Sequence, residues 1–477
     1  MAQQAEIRFG TDGWRAIIGQ EYTFANVARC ALGLCDYMKR RGTAGKGLIV
    51  GYDTRFLSAE FAATVASVCA DQGVRTLLAD APAPTPVLSY SVMHHGTGGA
   101  AIITASHNPA IWNGFKFKPE YAGSATQEIT DDLEDAIAQV VAGDTAGVTA
   151  KTNAGRGSGL IEDLSPALPY FEHVARLVDL DAIRSAGFRV VVDAMYGAGA
   201  GYLPAILEGG KTTVEEIHGD RNPAFPGMAQ PEPIAHNLAE LMDRVPATGA
   251  SMGIALDGDA DRVGIIDETG RFVTTLDTFS LLALYLLETK GWRGSLIKGV
   301  TASQALNKMG SIYGVDVHEV RVGFKHMGPR MEELDALMAG EESGGFAFRG
   351  HVPERDGILS GLFVLENMAK TGKTVAQLLE NLFERVGPHF YHRRDIEFTA
   401  TDRNRINQRV NDPGLERLGG YIITASDSID GRRLHFGDGW LGVRFSGTEP
   451  LLRIYAEASS PDRVNGLLDA AVEYLEV

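Results

Sequence analysis

Three times along the chain, an apolar run of strand character is followed by a helical stretch and a second short apolar run. Leu48-Ile-Val-Gly-Tyr-Asp leads into a helix over Ala59 to Gln72 and a strand at Val74 to Leu78. Arg189-Val-Val-Val-Asp repeats the opening, with a Gly-rich turn, a helix near Tyr202 to Leu207 and a strand at Thr213 to Ile217. Ser295-Leu-Ile-Lys starts the third copy, with a helix near Ser303 to Met309 and a strand at Val315 to Val320. Strands that are apolar throughout and separated by helices predict βαβ units on mixed, mostly parallel sheets, an α/β fold class. The copies share little sequence, so the repeat is one of architecture.

A chain of 477 residues is too long for one hydrophobic core, and about three or four domains are expected. From about Asp395 the pattern changes to Asp395-Ile-Glu-Phe, Tyr421-Ile-Ile-Thr, Leu441-Gly-Val-Arg-Phe and Leu452-Arg-Ile-Tyr-Ala, then a helix near Asp462 to Leu475. Meandering strands followed by a helix predict a smaller α+β C-terminal domain. Two stretches suit linkers: Gly143 to Gly159, rich in Gly, Ala and Thr, and Gly387-Pro-His. The expected units are 1–160, 161–273, 274–388 and 389–477.

Lys plus Arg number 44 against 61 for Asp plus Glu, a net charge of -17. That balance argues against nucleic-acid or anionic-membrane partners, because nothing offsets phosphate repulsion. A small phosphorylated substrate stays open if basic side chains gather in one cleft. The three cysteines, Cys30, Cys35 and Cys69, fit a reduced compartment better than a disulfide scaffold. The first residues carry no basic-then-apolar leader, and the apolar run Leu281 to Leu287 is too short to span a bilayer. A soluble, cytoplasmic protein is the expectation.

Four loops carry chemistry-bearing residues. Thr104-Ala-Ser-His-Asn-Pro109 follows the apolar run Gly99 to Ile103, where open α/β sheets place their sites. Ser106 there is a candidate nucleophile with His107 and Lys116 near in sequence, although a cap or turn would use the same residues. Asp257-Gly-Asp-Ala-Asp-Arg262 sets three carboxylates among small residues between Met252 to Leu256 and Val263 to Asp267. Their mutual repulsion calls for a cation, and three protein oxygens leave room for phosphate and water on Mg2+. An EF-hand is excluded: its sixth position needs Gly and holds Arg262, and the flanks read as strands.

Gly340-Glu-Glu-Ser-Gly-Gly345 offers paired carboxylates and a hydroxyl suited to vicinal sugar hydroxyls, or simply a helix C-cap and turn. Arg444-Phe-Ser-Gly-Thr-Glu-Pro450 joins two apolar strands and suits either a phosphate cradle or an ordinary hairpin. Two motif matches are set aside. Gly249-Ala-Ser-Met-Gly253 precedes a strand where a nucleophile elbow needs a helix. Thr371-Gly-Lys-Thr374 lacks the first glycine of a phosphate-binding loop, that place being Asn367.

With the opening Phe9-Gly-Thr-Asp-Gly-Trp-Arg15, these loops in this order resemble the α-D-phosphohexomutase superfamily, which includes phosphoglucomutase and phosphomannomutase. The resemblance runs from Phe9 to the final helix. It implies four domains around a central cleft, each supplying one loop. It implies a phosphoryl group on Ser106 and Mg2+ held by Asp257, Asp259 and Asp261 with Ser106. Glu341 and Ser343 would grip sugar hydroxyls, while Arg444, Ser446, Gly447 and Thr448 would hold the existing phosphate. Arg15, His107, Lys116, Arg262 and Lys325 would line the transfer site, with Lys116 as candidate general base.

The implied reaction interconverts hexose 1-phosphate and hexose 6-phosphate through a hexose 1,6-bisphosphate. Glucose phosphate ranks first and mannose phosphate second; glucosamine mutases usually show Gln-Ser where this chain has Glu342-Ser343. A non-catalytic relative would have lost Ser106 or a metal aspartate, and neither is lost. A phosphatase would need no sugar or phosphate loop. A monomer or homodimer is expected.

Overall fold

The computed structural model describes residues 7–10, 12–142, 159–399, 401–445 and 451–477. Three of its sheets share one strand order. In the first, Leu48–Tyr52 lies between Thr76–Ala79 and Gly99–Ile103, parallel to both, and Gly99–Ile103 pairs antiparallel with Trp112–Pro119. In the second, Arg189–Asp193 lies between Thr213–Ile217 and Met252–Leu256, and the latter pairs antiparallel with Val263–Ile266. In the third, Leu296–Gly299 lies between Val317–Val320 and Met338–Gly340, and Phe346–Phe348 closes the antiparallel edge. The architectural repeat read from the sequence is therefore real.

The repeat places the chemistry. In each copy the polar loop joins the third strand of this set to its antiparallel neighbour. Residues 104–111, 257–262 and 341–345 are thus equivalent connections at the C-terminal ends of parallel strands, where α/β sheets leave a crevice. The fourth sheet is antiparallel, ordered Phe390–Glu397, Leu451–Ala458, Gly439–Phe445, Arg432–Phe436, Ala425–Asp427, with Pro461–Leu475 packed across it.

The local reasons are ordinary ones. Arg189–Asp193 and Met252–Leu256 are buried nearly end to end, as central strands covered on both faces must be. Thr23, Asp356, Thr374 and Ser460 cap the helices that follow them. Thr374 closes a capping box with Gln377, so the Thr371-Gly-Lys-Thr374 match is a helix start. Gly249 is a left-handed helix end at φ 63°, which disposes of the elbow match too. One continuous core runs through the first three sheets, including Ile102, Ile254, Leu296 and Phe363, and the last sheet has its own.

Some expectations shift. The second strand of the first copy is Thr76–Ala79, later than Val74 to Leu78. Ile161–Leu164 pairs with it, so the first sheet takes residues beyond the boundary expected at 160. The strand expected at Tyr421 is only Tyr421–Ile422. Residues 143–158 of the expected linker lie outside the described residues. The cysteines are free and buried, with Cys35 Sγ and Cys69 Sγ 3.4 Å apart. Among the described residues, no helix is long and apolar enough to cross a membrane.

Candidate active site and metal centre

Ser106 stands at the end of Gly99–Ile103 with φ 51°, a left-handed conformation that costs a non-glycine residue about 1–2 kcal/mol. Its Oγ donates to Asp257 Oδ2 at 2.9 Å and lies 3.2 Å from His107 Nδ1. The nucleophile loop thus touches the acidic loop 151 residues away in sequence. Contact between the two loops is close: a Cβ on Gly258 would meet Ser106 O at 2.4 Å.

Asp257, Asp259 and Asp261 are fully buried, with ligand oxygens all within 4.8 Å of one another. Thr85 donates to Asp259 Oδ2 at 2.6 Å, and Lys116 Nζ lies 2.8 Å from the same oxygen. Arg355 Nη2 lies 2.9 Å from Asp261 Oδ2. Asp259 Oδ1 and Asp261 Oδ1 are buried without a hydrogen-bond partner among the described residues. Buried carboxylate oxygens are rarely left unsatisfied. The donor set, three carboxylates and a hydroxyl, is the hard-oxygen set that suits Mg2+. Burial, then Asp261 and Asp259, pushes the Asp257 carboxyl well up, whereas at Asp259 burial is outweighed by Lys116, Thr85 and Arg355, which hold that carboxyl below its ordinary value. The loop is fixed from the third sheet by Val263 N to Gly344 O and Gly357 N to Ala260 O, both 3.0 Å.

Lys116 sits on Trp112–Pro119, where Phe115 and Phe117 pack into a separate core of the first unit with Trp14, Tyr22 and Phe61. Alternation along the strand turns Lys116 and Lys118 to the opposite face. Lys116 Nζ pairs with Asp12 Oδ2 and Asp259 Oδ2, both 2.8 Å, and with Asp261 Oδ2 at 3.5 Å. Burial opposes its charge, but Asp12, Asp259 and Asp261 outweigh it and raise its pKa. His107 is driven well down by burial and by Arg262, Arg15 and Lys116, so its imidazole is neutral. Arg15 donates to Asn108 Oδ1 at 2.6 Å. Arg262 donates its backbone N–H to Asp257 Oδ1 at 3.0 Å and pairs with Glu232 Oε1 at 2.8 Å.

In the third loop, Gly323 N donates to Glu341 Oε1 at 2.9 Å, joining Glu341 to the turn that precedes Lys325. Lys325 itself donates to Gln127 Oε1 at 2.7 Å, toward the first sheet's helix Gln127–Ala142. Ser343 is half-buried. Arg444 Nε lies 3.0 Å from Asp430 Oδ2, and the same oxygen accepts from Val322 N at 3.0 Å. Ser446, Gly447 and Thr448 lie outside the described residues.

Four members of this charge network, Asp12, Lys118, Glu354 and Arg355, escaped the sequence reading. Asp12 ties Lys116, Lys118 and Arg355 together at 2.7–2.8 Å. Arg355 also holds Glu354 Oε1 at 3.0 Å and stands 3.9 Å from Glu341 Oε2. Asp12 lies inside the Phe9 to Arg15 motif, which was the available signal. Glu354-Arg355-Asp356, three charges just ahead of an apolar helix, was the other.

Comparison with known proteins agrees with this layout. Successive regions match the phosphoglucomutase/phosphomannomutase models: alpha/beta/alpha domain I over residues 6–142, domain II over 168–270, domain III over 277–386 and the C-terminal domain over 406–473. A Thermococcus kodakarensis phosphoglucomutase/phosphomannomutase is 33% identical over 469 residues, covering 98% of each chain. A Sulfurisphaera tokodaii phosphoglucosamine/phosphogalactosamine mutase is 27% identical over 470 residues, covering 98% of this chain and 99% of the other. The crystal structure of a phosphomannomutase candidate from Thermus thermophilus superposes with a TM-score of 0.86 at 34% identity, over 100% of both chains. The chain belongs to the phosphoglucomutase/phosphomannomutase family, within the α-D-phosphohexomutase superfamily. It is a phosphohexomutase, an intramolecular phosphotransferase.

Proposed function

We propose that this enzyme interconverts α-D-glucose 1-phosphate and 6-phosphate through a phosphoserine at Ser106 and a glucose 1,6-bisphosphate intermediate. The observation that carries this reading is the 2.9 Å contact of Ser106 Oγ with Asp257, inside a buried acidic cluster. Asp257, Asp259, Asp261 and Ser106 would hold Mg2+. When bound, Mg2+ neutralises charge on the transferring phosphoryl oxygens. The four units expected at 1–160, 161–273, 274–388 and 389–477 each supply one loop in this reading.

The roles of the chain's own residues follow from position and charge. Arg444, with Ser446, Gly447 and Thr448, anchors the phosphate already on the sugar. Glu341 and Ser343 take its ring hydroxyls. Phosphoserine 106 gives its phosphoryl group to the free hydroxyl: the bond from phosphorus to Ser106 Oγ breaks and one to the sugar oxygen forms. The bisphosphate turns end for end and returns its other phosphoryl group to Ser106. His107, neutral and 3.2 Å from Ser106 Oγ, is the group able to take the hydroxyl proton. Lys116, the base candidate in the sequence, is held charged by Asp12, Asp259 and Asp261 and adds positive charge instead. Arg15, Arg262 and Lys325 supply the positive charge that phosphoryl transfer needs more than covalent help. Exclusion of water by the last unit protects the phosphoserine from hydrolysis.

Mannose phosphate is the second substrate to test, since glucose and mannose differ only at the 2-hydroxyl. The deciding assay uses purified protein, Mg2+ and a trace of bisphosphate, comparing glucose, mannose, glucosamine and N-acetylglucosamine 1-phosphates. Fastest turnover of glucose 1-phosphate is expected. Fastest turnover of an amino sugar would overturn the substrate assignment, and release of free phosphate matching substrate loss would mean a phosphatase.

A further inference from the structure

Arg55 carries no role in the reaction described above, yet it is completely buried directly behind the nucleophile loop. Its Nη2 donates to Ser106 O at 2.5 Å and Asn108 O at 2.6 Å. Its Nη1 donates to Pro109 O at 2.9 Å and Trp112 O at 3.1 Å. One guanidinium therefore gathers the carbonyls of a whole loop. Nε faces Asp53 Oδ2 at 3.2 Å, while Asp53 Oδ1 accepts from Arg55 N at 3.0 Å and Ser58 Oγ at 2.7 Å. The Phe225 ring, contributed by the second unit, lies 5.0 Å from the guanidinium carbon. Only a planar fork with donors on separate nitrogens spans four carbonyls in this way; a lysine ammonium presents its donors from one point.

The residue so gripped is under strain. Ser106 has φ 51°, a left-handed conformation that is costly for a residue other than glycine. Its backbone N–H is held by Thr104 Oγ1 at 2.8 Å, and its carbonyl by Arg55. With both ends fixed, the Cα–Cβ bond has one direction left, toward Asp257. Lose the carbonyl grip, and the peptide can relax and swing Oγ away from the acidic cluster.

We propose that Arg55, oriented by Asp53, is a positioning residue that holds Ser106 in its strained, transfer-ready conformation. The inference rests on Ser106 being the phosphoryl carrier. It concerns the placement of the nucleophile and leaves the substrate anchors untouched. A defect in placement lowers kcat with KM unchanged, whereas loss of global packing lowers the folded fraction and leaves each folded molecule at full rate.

The test compares Arg55→Lys, Asp53→Asn and Ser106→Ala with the parent enzyme, each first checked for folding by circular dichroism and thermal unfolding. Two quantities are read: kcat and KM for glucose 1-phosphate, and the single-turnover rate of Ser106 phosphorylation by glucose 1,6-bisphosphate, followed by intact-protein mass. Arg55→Lys is expected to lose roughly a hundredfold in kcat and in phosphorylation rate, with KM within about twofold. A folded Arg55→Lys enzyme with parental kcat, or one changed only in KM, overturns the proposal. If Arg55→Lys does not fold, Asp53→Asn decides: a fall in kcat at constant KM supports the role, and an unchanged kcat refutes it. Ser106→Ala separates the two readings, because mutase turnover in that variant removes Ser106 as carrier whatever Arg55 does.

Discussion

Arg393, on the outer strand of the last sheet, donates to Glu342 Oε1 of the third sheet's loop at 3.1 Å. Glu342 stands between the two residues expected to grip the sugar, so this bond couples the last unit directly to the sugar loop. A second coupling runs from Asp430 to Val322 N and Arg444. Arg393→Met is expected to raise KM for hexose phosphate roughly fivefold, the effect of losing a half-exposed pair worth up to about 1 kcal/mol. Steady-state kinetics at low and high salt check this. An unchanged KM would show that the contact does not help close the cleft.

Asp259 divides its carboxylate between two tasks, with Oδ2 on Lys116 and Thr85 and Oδ1 buried without a partner among the described residues. Asp259→Asn is expected to abolish Mg2+ binding by calorimetry and to cut turnover at least a hundredfold, each being the consequence of a lost anionic ligand. Chelation of the parent enzyme should do the same, reversibly on adding Mg2+. A variant that binds Mg2+ as tightly as the parent would remove these aspartates as the metal site.

Arg355 is a buried cation shared by Asp12, Asp261 and Glu354. Arg355→Met leaves those carboxylates undercompensated and should lower unfolding stability by about 3 kcal/mol. Denaturant titration measures this, and a loss below about 1 kcal/mol would mean that Lys116 and Lys118 suffice to neutralise the cluster.

An acid limb to stability is expected from His173. Its Nε2 lies 3.0 Å from His351 Nδ1, which sits next to Asp356 and Tyr170, and its ring stacks on Tyr90 at 4.4 Å. Burial first, then His351 and Arg176, pushes His173 down to about 4 from 6.5, with Asp356 opposing. The folded value lies below the unfolded one, so the associated stability is complete above pH 6.5 and drains away as pH falls toward 4. Thermal unfolding between these limits should show the decline, and His173→Gln should make it shallower. Equal slopes in the two proteins would exclude His173 as the cause.

Reading the sequence worked where local pattern governs structure. Tyr202–Leu207 and Thr213–Ile217 fall on the residues expected, because apolar periodicity and flanking glycines define them locally. The acidic loop was legible because three carboxylates so close together need an explanation. Edges were harder: Ile161–Leu164 carries two acids on an exposed sheet margin and gives almost no strand signal. Arg55, Arg355 and Asp12 were harder still. Each is a single charged residue whose partners, such as Asp261 for Arg355, come from distant stretches, and no periodicity announces a tertiary contact. The sequence points to Lys116, but two of its three carboxylate partners, Asp259 and Asp261, emerge only when the first and second units meet. The third, Asp12, emerges only when Trp14–Ile17 pairs with the strand of Lys116.

Position 258 has no room for even a methyl group, because the carbonyl of Ser106 already fills that space. Alanine there would act as a wedge between two units, separating the serine from the acidic cluster while leaving every charged residue in place. The reach between these halves of the proposed catalytic apparatus is thus set by an atom that is missing, and an inventory of reactive side chains would pass over the residue that controls it.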